Sequence, residues 1–254
     1  MQIERMTVAL RPRNPWESMD LGVSLVRQQL PYLWRPWLLL MSVILLLGVL
    51  LINYHVGTLA WLLIWWLKPL YDRILLLVLS RRIFAEPSSL SSVIRSFPSL
   101  LKSGLLAALT YKRFDLARSF NLPVFQLEGI KAKERRQRID VLQKLTRGKA
   151  VGLTTIAVHL ELLVIITCYG LLYMMMPESV SDNFFDYSFY SYESSYPMIL
   201  MLAFYVLAIT VIEPLYVSAG FMLYLNRRTL LEAWDIELIF RTMAKRLQAT
   251  PLRT

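Results

Sequence analysis

The chain has 254 residues, of which 56% are hydrophobic and 18% are charged, and its net charge is +10 at pH 7. An average soluble domain is about half apolar and about a quarter charged, so this apolar excess indicates a membrane protein. The single cysteine, Cys168, excludes an internal disulfide. Because the basic residues flank the apolar runs, we expect them to contact anionic lipid headgroups and expect no nucleic-acid partner.

The first predicted elements are a surface helix and a membrane hairpin. Asn14-Pro15-Trp16-Glu17 combines a capping residue, a proline at the first helical position and an early acid, which predicts the start of an amphipathic helix. The charge-free run from Pro36 to Leu67 is too long for one crossing and has turn-forming residues at 53–57. It therefore predicts two spans, at about 37–52 and 58–79.

Two more spans are predicted at about 151–175 and 198–225, which makes a bundle of about four transmembrane helices. The segment 81–149 is rich in Lys and Arg, whereas 177–197 has acidic and aromatic residues and no basic one. Short basic loops remain cytoplasmic, which predicts that 81–149 and both termini face the cytoplasm of a bacterial inner membrane.

Three segments outside the predicted spans have helical character. Ser99–Tyr111 is apolar but short, and it could be interfacial or re-entrant. Residues 131–147 predict a basic juxtamembrane helix, and 230–247 predict an amphipathic helix after the last span. Four arginines at the predicted span ends are candidates for lipid-phosphate contacts: Arg81, Arg82, Arg227 and Arg228.

An internal repeat organises the chain as a single all-α membrane domain, 1–254. Lys68-Pro69-Leu70-Tyr71 recurs as Glu213-Pro214-Leu215-Tyr216. Downstream, three residues recur at a constant offset, with Arg82, Glu86 and Arg95 matching Arg228, Glu232 and Arg241. The repeat predicts a first half at 14–98, a basic linker at 99–148 and a second half at 149–254, both halves inserting in the same orientation.

Six ionisable residues fall inside the predicted spans, where each is costly unless it is paired. They are Lys68, Asp72, Arg73, His159, Glu161 and Glu213. Counted from the basic span ends, Lys68, Glu161 and Glu213 lie at similar depth, which predicts a polar cluster at mid-membrane. One interpretation is an ion pair between Lys68 and Glu213 that joins the hairpins.

The other interpretation of this cluster is a site for an ion, a proton or a lipid headgroup. Pro69 and Pro214 would each help such a site by freeing a backbone carbonyl. Tyr71 and Tyr216 complete this repeated kink motif. No metalloprotease, phosphate-loop or protease signature is present, so we expect no enzyme, metal or cofactor.

Two segments carry a resemblance. RSFNLPVFQLEG at 118–129 and EPLYVSAGFMLYLNRRTLLEAWDIELIFR at 213–241 resemble an uncharacterised family of proteobacterial inner-membrane proteins encoded beside MoxR-type AAA ATPases and von Willebrand-A proteins. The Glu-Pro and Arg-Arg arrangement is also similar to the membrane domain of some glycerophosphodiester phosphodiesterases. The resemblance implies a membrane location and a MoxR-type or von Willebrand-A partner, but no mechanism.

Two functions follow as hypotheses. The first is a scaffold or subunit that recruits cytoplasmic partners through its basic amphipathic helices. The alternative is a small transporter or lipid-handling protein that works through Lys68, Glu161 and Glu213. Both leave homo-oligomerisation open.

Overall fold

The computed structural model describes residues 11–85, 90–102, 108–130, 132–177, 195–234 and 240, and every regular element in these ranges is helical. The described part of the chain is therefore all-α, as predicted. Within it, three helices are long and apolar enough to cross a membrane. The helices in chain order are α1 (Pro15–Asn53), α2 (Gly57–Trp66), α3 (Lys68–Ile83), α4 (Leu90–Lys102), α5 (Arg118–Gln126), α6 (Ala132–Gln143), α7 (Arg147–Met175) and α8 (Tyr196–Glu232). The three long apolar helices are α1, α7 and α8. A 3-10 turn, Tyr111–Phe114, precedes α5.

The second predicted span, 58–79, is divided between α2 and α3. The two helices are separated at Leu67, and α2 has only 10 residues. Pro69 has no N–H with which to bond the carbonyl of Trp65, so the helix is interrupted at this point and begins again with proline in its first turn. A crossing made of two short helices remains a prediction, and with it the count of four spans.

The predicted surface helix and the first predicted span form one helix, α1. The helix starts as expected, because Asn14 Oδ1 accepts a hydrogen bond from the backbone N–H of Trp16 at 3.1 Å. It then continues through Pro31 and Pro36 for 39 residues, a length of about 58 Å. The expectation of a separate surface helix is wrong, because the first turns of α1 contact α8 directly.

Small residues allow α1 and α8 to approach closely. A Cβ added at Gly22 would lie 2.6 Å from Ala219 Cα, and Ser218 Oγ donates a hydrogen bond to the Gly22 carbonyl at 2.7 Å. Such contacts hold membrane helices together where no hydrophobic effect acts between them. Near the basic end of the bundle, Asn226 Nδ2 also donates to the Arg13 carbonyl at 2.9 Å.

Contacts along α8 define the direction of the other helices. Gly57, at the start of α2, contacts Met198, and Lys68, at the start of α3, contacts Glu213. The helices α2 and α3 therefore run in the same direction as α8, while α1 and α7 run in the opposite direction. This arrangement is compatible with the predicted repeat. The two proline motifs differ, however, because a helix begins at Lys68-Pro69 whereas α8 is continuous through Pro214. The repeat therefore stays a prediction.

The bundle has two zones that differ in how far their helices are exposed. We call the first zone the apolar belt, because large apolar side chains are exposed along residues 38–53 of α1 and the turn after it, along α2, along residues 156–175 of α7 and along 196–211 of α8. In the second zone every residue of α8 from Ile212 to Asn226 except Leu215 is buried. We call this zone the cap; it comprises α3 to α6, residues 15–35 of α1 and residues 212–232 of α8.

Some sequence predictions fall outside the described residues. They concern 178–194 of the acidic and aromatic segment, 103–107 of the short apolar segment, Glu86, and the C-terminal amphipathic helix beyond Trp234 apart from Phe240.

We expect Gly22→Ala to destabilise the bundle by about 1 to 3 kcal/mol, because the new methyl group overlaps backbone atoms of α8. Gly152→Ala in α7 is the matched control, since a Cβ there meets no atom within 4 Å. The control should be neutral or stabilising, because alanine favours a helix more than glycine does. Unfolding in a titration with sodium dodecyl sulfate measures both changes, and equal effects would contradict the close contact.

Candidate functional site

Five ionisable side chains from four helices meet where the apolar belt joins the cap. Lys68 Nζ lies 2.5 and 2.7 Å from the two carboxylate oxygens of Glu161 and 3.2 Å from Glu213 Oε2. Arg118 Nε lies 2.9 Å from Asp72 Oδ2, and its Nη2 lies 3.2 Å from Glu213 Oε1. Glu213 therefore connects the two cations, and we call these five residues the charge network.

The charge network is withdrawn from solvent, with Asp72 0% and Glu213 1% exposed. Its two cations contact three carboxylates. Isolated charges at such sites are strongly unfavourable, so the contacts are needed for the helices to remain together. Among the described residues, no three His, Cys, Asp or Glu side chains converge as metal ligands.

A small cavity borders the network beside Asp72, Arg118 and Asn121, with a volume of about 30 Å³. The 2.9 Å contact between Arg118 and Asp72 is an ion pair without an aligned hydrogen bond, and both Asp72 oxygens lack a hydrogen-bond partner in the described part of the chain. The cavity has room for one or two waters, which would complete the hydrogen bonding of Asp72.

The network contains four of the six ionisable residues predicted for the spans, and the expected contact between Lys68 and Glu213 is present. Arg73 is buried elsewhere, where its Nη1 donates to the Leu100 carbonyl of α4 at 2.7 Å. His159 is exposed on α7, with Nδ1 2.7 Å from the Thr155 carbonyl.

Helical geometry explains both exceptions. Neighbouring residues project about 100° apart on a helix, so Arg73 cannot share the face of Asp72. His159 and Glu161 are two positions apart and therefore project from nearly opposite faces. The sequence spacing of Arg73 from Asp72, and of His159 from Glu161, therefore already indicated that neither residue would join the cluster.

Sequence reasoning missed Arg118, which was assigned to the cytoplasmic linker. The structure places it at the start of α5, which contacts α8. An added Cβ at Gly220 would lie 2.3 Å from Ser119 Oγ, so only glycine allows this close approach. The Ser119 N–H also donates to the Tyr216 hydroxyl at 3.2 Å. The predicted spans carry three carboxylates, Asp72, Glu161 and Glu213, but one lysine to pair with them. This imbalance was the signal that a second cation was required.

The network lies at the end of the apolar belt. Glu213 follows Val211, the last exposed large apolar residue of the belt on α8, and Lys68 follows exposed Trp65 and Trp66 on α2. The mid-membrane depth of the cluster stays a prediction.

Both prolines of the repeated motif free a carbonyl, as expected, and each freed carbonyl receives a donor from another element. The Trp37 indole Nε1 donates to the Thr210 carbonyl at 2.9 Å, four residues before Pro214. Arg113 donates to the Trp65 carbonyl, four residues before Pro69, and its guanidinium lies 3.2 Å from the Trp65 ring centroid. These carbonyls are therefore occupied by protein groups.

The tyrosines of the motif differ in their partners. Tyr71 donates to the Ile64 carbonyl at 3.2 Å, within its own hairpin. The Tyr216 hydroxyl lies 3.0 Å from Thr154 Oγ1 of α7 and also accepts the Ser119 N–H. Tyr216 thus connects three helices, whereas Tyr71 connects two.

The four arginines at the span ends contact protein groups. Arg81 donates to Ser92 and Ser96 of α4, and Arg82 donates to Gln29 of α1. Arg227 donates to the carbonyls of Leu142, in the last turn of α6, and Lys144, just after it. Arg228 donates to Glu232 and the Tyr224 hydroxyl. They hold the cap helices against α3 and α8, and their role as lipid ligands stays a prediction.

A second ion-pair cluster fixes α6 to the end of α8. Arg138 contacts Glu128 at 3.1 Å and also Glu232, which in turn contacts Arg228 at 2.7 Å. Burial lowers the pKa of the Arg138 guanidinium, but the hydrogen bonds to Glu232 and Glu128 raise this pKa more, so that it lies above its ordinary value. Arg138 therefore remains charged and holds α6 in one orientation.

No family model matches this chain. No curated protein and no solved structure matches it either. What the site can do must therefore be inferred from its geometry.

We expect Lys68→Met to destabilise the protein by about 3 to 5 kcal/mol, because it leaves Glu161 buried without its cation. Adding Glu161→Gln should restore most of the loss. Adding Glu213→Gln should restore less, because Glu213 keeps Arg118 as a partner. Unfolding free energies in detergent measure the comparison, and equal recovery by the two second substitutions would contradict this division of the network.

Proposed function

We propose that this chain is a membrane scaffold or subunit whose spans hold a helical cap that recruits a partner protein. The closed charge network is the observation that supports this function best. Its cations are both paired, its neighbouring cavity is about 30 Å³, and the two carbonyls freed by proline already have donors. A transporter would need a path by which a solute reaches these groups, so the geometry favours the scaffold.

The helix α6 divides its basic residues between two roles. Arg135 donates to the Ile130 carbonyl at 2.6 Å, and Arg138 joins the second ion-pair cluster. Lys133 and Arg136 are exposed and make no ion pair within the described residues, and Lys144 is exposed just beyond the helix. A fixed helix that presents unpaired cations is suited to an acidic surface on a partner.

The proposed topology has four crossings, with α2 and the first turns of α3 together forming the second. The rest of the cap and both termini face the cytoplasm of a bacterial inner membrane. The concentration of Lys and Arg in the cap supports this orientation, because short basic segments remain on the cytoplasmic side.

Cysteine labelling checks the orientation. In a Cys168→Ala background, we expect Tyr54→Cys to react with a membrane-impermeant maleimide on intact cells, because Tyr54 is 77% exposed in the turn between α1 and α2. Arg136→Cys should react only after the cells are opened. Labelling of Arg136→Cys from outside would contradict the orientation.

Purification from native membranes tests partner recruitment. We expect a protein to copurify with the chain and to be lost from Lys133→Gln/Arg136→Gln, because this variant removes two exposed cations from α6. High salt should weaken the same association, since exposed charges are screened. The resemblance of segments 118–129 and 213–241 makes a MoxR-type ATPase or a von Willebrand-A protein the partner to look for.

The matched control is Arg35→Gln/Arg95→Gln, which removes the same charge from exposed positions on α1 and α4. This variant should retain the copurifying protein. The proposal fails if the wild-type chain purifies alone, or if both variants retain the same proteins to the same extent.

A further inference from the structure

The helices α1 and α8 diverge between two of their contacts. Gly22 contacts Ser218, and Trp37 contacts Thr210. Trp37 is fifteen positions from Gly22 on α1, whereas Thr210 is only eight positions from Ser218 on α8. At about 1.5 Å per residue, α1 advances about 22 Å where α8 advances about 12 Å. Pro31 lies in this stretch of α1. A groove of about 480 Å³ opens between the two helices, within the size range of small-molecule sites.

The groove is apolar except for one cation, Arg27. Leu30 and Trp34 of α1 and Val211 and Leu215 of α8 form its walls. The Thr210 carbonyl at its edge is already bonded to the Trp37 indole, and no acidic residue lines the groove. Arg27 is exposed and makes no ion pair or hydrogen bond within the described part of the chain. The groove therefore offers a single available donor group, which is positively charged.

The groove crosses from the cap into the apolar belt. Arg27 lies in the cap, Leu38 begins the belt on α1, and both line the groove. Leu38 is eleven positions after Arg27, which corresponds to about 16 Å of helix. Trp34, which is 48% exposed, lies between them and is of the type that favours a membrane interface. In the proposed topology, Arg27 is thus at the level of lipid headgroups and Leu38 at the level of hydrocarbon.

We propose that this groove binds one anionic phospholipid, with the phosphate on Arg27 and an acyl chain along Leu30, Trp34 and Leu215. An arginine donates paired hydrogen bonds to phosphate oxygens, and its positive charge, with no acidic residue lining the groove, favours a lipid of net negative charge. The apolar walls supply the affinity for the chain. The four arginines at the span ends contact protein groups, whereas Arg27 remains available. The site depends on the membrane embedding of α1 and α8 and is independent of partner recruitment.

Native mass spectrometry of the delipidated protein in detergent tests the site. Phosphatidylglycerol should bind about tenfold more tightly than phosphatidylcholine with the same chains. Both phosphates can accept from Arg27, but the choline cation cancels the net negative charge that attracts the guanidinium. Arg27→Gln should remove this preference. Arg35→Gln is the matched control, because it removes the same charge from an exposed position of α1 outside the groove, and it should bind like the wild type.

A second variant tests the chain-binding part of the groove. Val211→Trp fills the groove from a position that is 49% exposed, so it should weaken both lipids without disturbing the bundle. Equal binding of the two lipids by the wild type, or unchanged binding by Arg27→Gln, would overturn the proposal. Displacement of phosphatidylglycerol by glycerol phosphate at equal concentration would also overturn it, because the site would then bind the free anion rather than a lipid.

Discussion

The charge network is the constraint on which the rest of this bundle depends. Lys68 and Arg118 hold α3, α5, α7 and α8 at one level, because each carboxylate in the network needs a cation that another helix supplies. Removing buried charges from water is unfavourable, and only good geometry offsets it. The network therefore restricts the helices to one relative placement more than it adds to the stability of the bundle.

Buried backbone carbonyls need a partner, as the buried charged side chains do. In a membrane, each proline leaves a carbonyl that water cannot reach, and a neighbouring group must satisfy it. Trp37 and Arg113 do so for the two proline motifs, with the consequence that each motif is also a contact between elements. The features that suggested a solute site thus belong to the internal architecture. The basic face of α6 and the groove beside Arg27 are exposed, and they are the surfaces that we propose for a partner and a lipid.

Much of the fold could be predicted because its causes are local. The capping of α1 by Asn14, the turn at 53–57, the apolar runs of α7 and α8 and the carbonyls freed by proline all follow from neighbouring residues. The role of Arg118 could not be predicted in this way. Its partner Glu213 is 95 positions away, and the basic sequence around Arg118 predicted a linker. The continuity of α1 through Pro31 and Pro36 was also hidden, since contact with α8 overrides the local tendency of proline to end a helix.

The separation of the network partners along the chain also determines the order of assembly. Lys68 and Glu161 are 93 positions apart, and Glu213 follows later still. A ribosome therefore delivers Lys68 to the membrane before its partners Glu161 and Glu213 have been made. Lys68 and Asp72 are one helical turn apart and can pair with each other during this interval. The bundle can close only after α8 is synthesised, so the last helix to be made sets the time at which the protein becomes fully folded.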